Sequence, residues 1–262
     1  MNKYLKNYNI ILDNMDLNHY RIRPIAVIMY LQDAFARYTA TGRMAAYDLF
    51  PLELYWVVAE FNIEFTDKLP FWSEEIKVEL WFSEISKLKI YIDFNIYYKD
   101  KIFAKGNALW FLIDSKTKRP VKTDILAEKF TVCPELVSGE HKKFILPDIK
   151  EKIKEIKHTN NLSDIDFNNH VNNKSYINLA EITAPDEFKK THELKNLHVR
   201  FNRETFLGDT LTCSAYRTEQ ADTYVHSIVK ENISACDILT KWEKIKDKPT
   251  DISDYDLDVK KE

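Results

Sequence analysis

Hydrophobic residues change their spacing along the chain, and each change marks a new kind of element. Residues 6 to 23 alternate at Tyr8, Ile10 and Leu12 before a polar DNMD stretch, the pattern of an extended lead-in. From Pro24 the run IAVIMYLQDAFARYTATG carries its apolar side chains on a broad helical face. Proline suits the first turn of a helix, and Gly42 can end or bend it. A shorter helical or irregular segment follows through Leu54. From Tyr55 the spacing becomes that of strands, in YWVVAEFNIEF, EEIKVELWF, LKIYIDFNIYY and KIFAKGNALWFLI. Alternation is clearest in IKVEL and LKIYIDF, and β-branched and aromatic residues recur throughout. The pattern predicts one long helix followed by an antiparallel meander.

Residues 114 to 152 hold Pro120, Pro134 and Pro147 among mixed charges, as a connector with some local structure would. The same order then returns. KIKEIKHT is a short strand, SDIDFNN a polar turn and VNNKSYINLAEIT a helix, with strands at LKNLHVRF, DTLTCSAYR, TYVHSIVK and ACDILTKW. The predicted organisation is α+β: a first unit at 1–125, a connector at 126–152, a second unit at 153–243 and a charged tail at 244–262. Internally, LKNLHVRFNRETFLGDTLTC resembles AEFNIEFTDKLPFWSEEIKV, which sets Phe65 on Phe201 and Lys68 on Glu204.

Composition narrows the class. With 262 residues, 45% hydrophobic and 30% charged, the chain can bury a substantial core without staples. A formal net charge of -3 argues against a nucleic-acid-binding surface, which needs clustered Lys and Arg. Cys133, Cys213 and Cys236 stand at long spacings with no paired-cysteine motif, as reduced thiols in the cytoplasm would. No window approaches about 18 uncharged apolar residues, so no transmembrane helix is expected.

Chemistry concentrates in SDIDFNNHVNNKSY, residues 163–176. Asp166, Asn168 and His170 alternate just before the helix, so an extended backbone would set all three on one side. Asn168 or Asn169 can instead cap the helix, whose exposed first amides favour an oxygen that develops negative charge. Capping alone also accounts for such a density of Asn and Asp.

Asp164-Ile165-Asp166-Phe167-Asn168-Asn169-His170-Val171-Asn172-Asn173, followed by Tyr176, resembles a known active-site signature. That signature, Asp-Leu-Asp-Met-Asn-Gln-His-Val-Asn-Asn, belongs to the acyl-acyl-carrier-protein thioesterases of plants and bacteria. Asn202-Arg203-Glu204-Thr205, with Gly208-Asp209 after it, is similar to the family's later Arg-Arg-Glu-Cys segment. Trp110 before SKTKRPVK and the two-unit layout extend the resemblance from about Asn7 to Trp242.

The resemblance implies a double hotdog fold, in which each antiparallel sheet wraps a long helix. It also implies hydrolysis of fatty acyl-acyl-carrier protein, without cofactor or metal, and an acyl carrier protein as partner. Candidate catalytic residues are Asp166, Asn168, His170 and Glu204. Asn168 is the preferred carbonyl-positioning group, His170 a proton carrier, Asp166 the residue that positions His170 or the water, and Glu204 the preferred general base. The sequence does not separate a Glu204-led from a His170-led mechanism. Thr205 stands where a cysteine nucleophile has been proposed for the family, so direct attack by water is expected, and Cys213 is expected in the core.

Lys68 in place of a glutamate, and no Asp-x-Asn-x-His cluster before the first helix, predict one active site per chain. The first half is expected to shape the acyl pocket, with Ile25, Val27, Ile28, Met29, Leu31 and Phe35 as core or pocket residues. Arg21, Arg23, Lys116, Lys118, Arg119 and Lys122 are candidate approach residues for the acidic carrier. Two fused units permit a monomer built as a pseudo-dimer, or a homodimer. The competing readings are an acyl-coenzyme-A thioesterase and a non-catalytic module that binds acyl-carrier protein or lipid.

Overall fold

A computed structural model describes residues 3–15 and 21–245, so most of the expected tail and part of the polar stretch before the first helix lie outside the described residues. The first half runs β1 (Tyr4–Asn9), α1 (Pro24–Thr41), α2 (Ala46–Leu49), β2 (Leu54–Phe65), β3 (Glu75–Ile85), β4 (Ile90–Tyr98) and β5 (Lys101–Asp114). After α3 (Asp124–Ala127), the second half runs β6 (Ile149–Thr159), α4 (Asn173–Thr183), α5 (Asp186–Thr191), β7 (His192–Phe201), β8 (Thr210–Thr218), β9 (Thr223–Lys230) and β10 (Ile233–Lys244).

All ten strands join one antiparallel sheet in the order β1-β3-β4-β5-β2-β7-β10-β9-β8-β6. The second half repeats the first in mirror order, with β2 and β7 adjacent at the centre. Their register has the same symmetry: Asn62 pairs with His198, flanked by Glu60 with Arg200 and Glu64 with Asn196. Superposing Phe65 on Phe201 exchanges those two flanking pairs, so the internal similarity in the sequence is the pseudo-twofold axis of the fold.

Each half wraps a helix, which is the double hotdog arrangement. Helix α1 buries Ile25, Val27, Ile28, Leu31 and Phe35 but leaves Met29 half-buried. Helix α4 buries Tyr176, Ile177, Leu179 and Ala180. Both follow the same lead-in, a short 3-10 turn and then an isolated bridge, Met15 to Ile22 in one half and Ile165 to Val171 in the other. Arg23, which precedes α1, donates to Glu181 (2.8 Å) and Asn178 (3.1 Å) of α4 and so ties the two helices together. No helix of the described residues is long and apolar enough to cross a membrane.

Gly106 on β5 is demanded by close approach: a β-carbon there would stand 1.9 Å from the Asn62 carbonyl oxygen. Strand β6 begins at Ile149, inside the stretch expected to be connector; its lysine-rich start hides the strand from a hydrophobicity reading.

The connector crosses the outer face of the sheet as a strap. Beneath it runs a polar row whose members pair in turn across five strands: Trp81, Asp93, Asn107, Asn62 and His198. The Trp81 indole donates to the Glu135 carbonyl, and Asp93 accepts from the Val137 amide and contacts His141 Nε2 at 2.8 Å. At the far end the Phe144 ring sits edge-on to His198 and under Arg200. The strap thus covers the polar residues that interrupt the central strands and satisfies Trp81 and Asp93, while Asn62 Oδ1 accepts from Asn196 within the sheet.

Candidate active site

Residues 160–173 form a folded loop fixed by its own polar side chains. The Asp164 carboxylate accepts from the Asn161 amide (2.9 Å) and contacts His158 Nε2 (2.8 Å). Burial alone would raise its pKa, but the Asn161 amide and His158 outweigh burial and hold the carboxyl below the usual range. Above this base the chain reverses. The Asp166 amide donates to the His170 carbonyl (2.9 Å), the Asn169 amide donates to the Asp166 carbonyl (3.1 Å), and Asn169 takes a left-handed φ of 61°.

The segment is therefore the polar turn expected of SDIDFNN, not the extended run that would set Asp166, Asn168 and His170 on one side. Asp166 Oδ1 accepts the backbone amides of Asn168 (2.8 Å) and His170 (3.4 Å), so Asp166 positions His170 through its main chain rather than through its ring. The capping expectation also changes. Asn172 caps α4, its side chain accepting from the Lys174 amide at 3.0 Å, while Asn168 and Asn169 belong to the turn. Asn-rich sequence allowed either assignment; the Ile165–Val171 bridge selects one by delaying the helix start to Asn173.

Glu204 reaches the same place from the other direction. Beyond the end of β7, the amides of Asn202 and Arg203 both donate to the Ala235 carbonyl, at 2.8 and 3.1 Å. The Val171 amide donates to the Thr205 carbonyl (2.9 Å), which sews this segment to the turn. As a result His170 Nδ1 lies 3.5 Å from Glu204 Oε1, with side-chain exposures of 22% and 35%. Phe206 packs edge-on against the His170 ring.

These residues border a cavity of about 470 Å³ between the two helices. Asp166, Asn168, His170 and Glu204 line it on one side, and Phe35, Trp56, Val58, Trp110, Tyr176 and Phe201 line its apolar interior. Phe35 stacks on Trp110 at 4.0 Å between ring centroids, and Trp56 meets Phe35 edge-on while its indole donates to the Met44 carbonyl. Of the six α1 residues singled out from the sequence, Phe35 alone lines this cavity.

Thr205 is fully buried behind the site, its hydroxyl 2.6 Å from that of Tyr176 and accepting from Asn160 Nδ2, and it is absent from the cavity wall. Cys213 is a core residue whose thiol is pushed up to about 11 by burial. Tyr55 is a site residue that sequence reasoning missed: its hydroxyl donates to Glu204 Oε1 at 3.3 Å from β2 of the other half. Lys118 lies over its ring at 5.1 Å. Among the expected approach residues, Arg23 is engaged by Glu181, and Lys116 pairs with Glu53. Among the described residues no group of three His, Cys, Asp or Glu side chains is placed to hold a metal ion.

Residues 1–129 match the family profile described as Acyl-ACP thioesterase N-terminal domain, and residues 148–244 match Acyl-ACP thioesterase C-terminal domain. Curated relatives include an oleoyl-acyl carrier protein thioesterase of Coriandrum sativum, 26% identical over 69% of this chain and 52% of its own length. Another, oleoyl-acyl carrier protein thioesterase 2 of Arabidopsis thaliana, is 29% identical over 62% of this chain and 48% of its own. The chain thus spans about half the length of the curated relatives it matches. Among solved structures, an acyl-ACP thioesterase from Bacteroides thetaiotaomicron aligns with a TM-score of 0.80 at 19% identity, over 92% of this chain and 98% of that one. A 12:0-ACP thioesterase from Umbellularia californica aligns with a TM-score of 0.80 at 17% identity, over 93% and 98% of the two chains, and both likenesses speak for the fold. The two profiles together cover nearly all of the described residues, and the chain belongs to the acyl-ACP thioesterase family.

Proposed function

We propose that the protein hydrolyses the thioester of fatty acyl-acyl-carrier protein, releasing a free fatty acid and the carrier's thiol. The observation that carries this reading is the meeting of His170 and Glu204, 3.5 Å apart and from two separate loops, at the wall of an apolar cavity. A carboxylate and an imidazole in contact supply proton transfer, and the cavity supplies room for an alkyl chain.

In this reading Glu204 takes a proton from a water molecule, and the resulting hydroxide adds to the thioester carbonyl carbon. The carbonyl electron pair moves onto oxygen, where Asn168 donates to it. Collapse of the tetrahedral intermediate breaks the C–S bond, and the departing sulfur takes a proton from His170 or from the Glu204 carboxyl. Asp166 fixes the turn that aims both Asn168 and His170. Direct hydrolysis is favoured over an acyl-enzyme because Thr205 is buried away from the cavity and Cys213 is a high-pKa core thiol.

The first half contributes the acyl pocket and the second the reacting groups, with one site per chain. Lys68 stands where Glu204 stands in the second half, so the pseudo-twofold axis does not generate a second carboxylate. Free thiols at Cys133, Cys213 and Cys236 fit action in a reducing compartment, the cytoplasm in this reading.

Thiol release from matched acyl-carrier-protein and acyl-coenzyme-A substrates tests the proposal, with His170→Ala as control. Carrier-linked turnover that collapses in H170A is the expected result. Turnover without carrier preference moves the substrate to acyl-coenzyme A, and acyl binding without turnover leaves a binding module.

A further inference from the structure

Two side chains converge on one oxygen of Glu204. His170 Nδ1 lies 3.5 Å from Oε1, and the Tyr55 hydroxyl donates to the same atom at 3.3 Å. Among the described residues both contacts fall on Oε1, so the carboxylate is held from one side while Oε2 is the oxygen left to meet a water.

The register of the sheet explains how Tyr55 gets there. Strands β2 and β7 pair antiparallel from Glu60–Arg200 to Glu64–Asn196. Continued past the paired region, that register would set Tyr55 opposite Thr205, and so brings the start of β2 alongside the segment after β7 that holds Glu204. The axis-related positions are Thr191 and Lys68, so neither the phenol nor the carboxylate is repeated in the other half. Tyr55 is half-buried and lines the cavity, and Lys118 caps its outer face.

We propose that Tyr55 is a positioning residue for hydrolysis, through which the first half of the chain orients the Glu204 carboxylate of the second. This rests on Glu204 acting as the base. A phenol suits the task because it stays protonated: burial, followed by the nearby Glu204 charge, pushes its pKa up to about 12, so it remains a donor at neutral pH. The O–H···O distance is long for such a bond, as catalytic contacts often are before substrate is present. The other charged or titratable groups around the cavity are Asp33 from α1, Tyr176 from α4, His170 and Asp166 from the turn and Arg203 from the loop of Glu204, with Lys118 over the phenol.

The test is a cycle of Tyr55→Phe, Glu204→Gln and the double variant on acyl-carrier-protein substrate. Tyr55→Phe should lower kcat roughly ten- to a hundredfold, the range for a lost hydrogen bond to a charged group, with KM little changed. In the Glu204→Gln background the Tyr55→Phe change should cost almost nothing more, because the two residues act as one unit. Wild-type turnover with an unaltered Tyr55→Phe enzyme overturns this inference alone. A Tyr55→Phe loss that persists in full in the Glu204→Gln background also overturns it, by making Tyr55 a substrate contact. Absence of wild-type turnover on every thioester overturns the functional reading, and the inference with it.

Discussion

The hydroxyls of Tyr176 and Thr205 stand 2.6 Å apart, both in side chains that scarcely reach solvent, and so pin the loop after β7 that carries Glu204 to helix α4. The contact makes Thr205 a fastener. Thr205→Val keeps the shape but leaves the Tyr176 hydroxyl without this partner, and should lower stability by about 1–3 kcal/mol in chemical denaturation. Wild-type turnover should be linear from the first cycle; a burst of thiol equal to the enzyme concentration would make Thr205 or a cysteine a nucleophile after all.

Glu204→Gln preserves size and removes the proposed base. It should lower kcat by about 10²–10⁴-fold while leaving the melting temperature where it was, because the side chain is partly exposed and outside the core. Retention of more than a tenth of wild-type kcat would leave His170 as the leading base.

Phe35 and Trp110 form the aromatic floor of the cavity. Tyr55, at the reacting end, and Val58, beside the floor, are three strand residues apart, about 10 Å. Phe35→Leu and Phe35→Ala should shift the preferred acyl chain progressively longer, read from a chain-length series of carrier-linked substrates. Each further buried methylene contributes about 0.8 kcal/mol, so the shift should be graded rather than abrupt. An unchanged length profile in a folded Phe35→Ala protein would place the end of the chain elsewhere.

His226 is fully buried between Thr183 and Thr240, and burial takes its pKa from the ordinary 6.5 to about 3. The folded protein therefore binds no proton at this site over a range in which the unfolded chain does. Its contribution to stability is complete above pH 6.5 and falls as pH drops from there toward about 3. The slope should be near 1.4 kcal/mol per pH unit in the middle of that window. Urea titrations at pH 7 and 5 check this, and His226→Gln should flatten the difference.

Much of the architecture is legible in the sequence because its elements carry their own periodicity. The long helix after Pro24, the four strands that follow and their return after the connector all stand out in the hydrophobic pattern. Lining up Phe65 with Phe201 even anticipates the axis between Asn62 and His198. The details that fail are polar ones. Asn168, Asn169 and Asn172 are equivalent as capping residues until the Ile165–Val171 bridge chooses among them, and that bridge is a pairing no local pattern encodes. Tyr55 is silent for the same reason: it is one more aromatic at a strand start until the β2–β7 register carries it to Glu204, 149 residues away.

The strap over the outer face has a consequence for how the molecule comes apart. Its contacts begin on β3 of the first half and end on β7 of the second, so it braces the joint between the halves against shear. Neither half can shed its outer cover without loosening the other's. A molecule descended in form from two like units should therefore melt as one, in a single calorimetric transition rather than two.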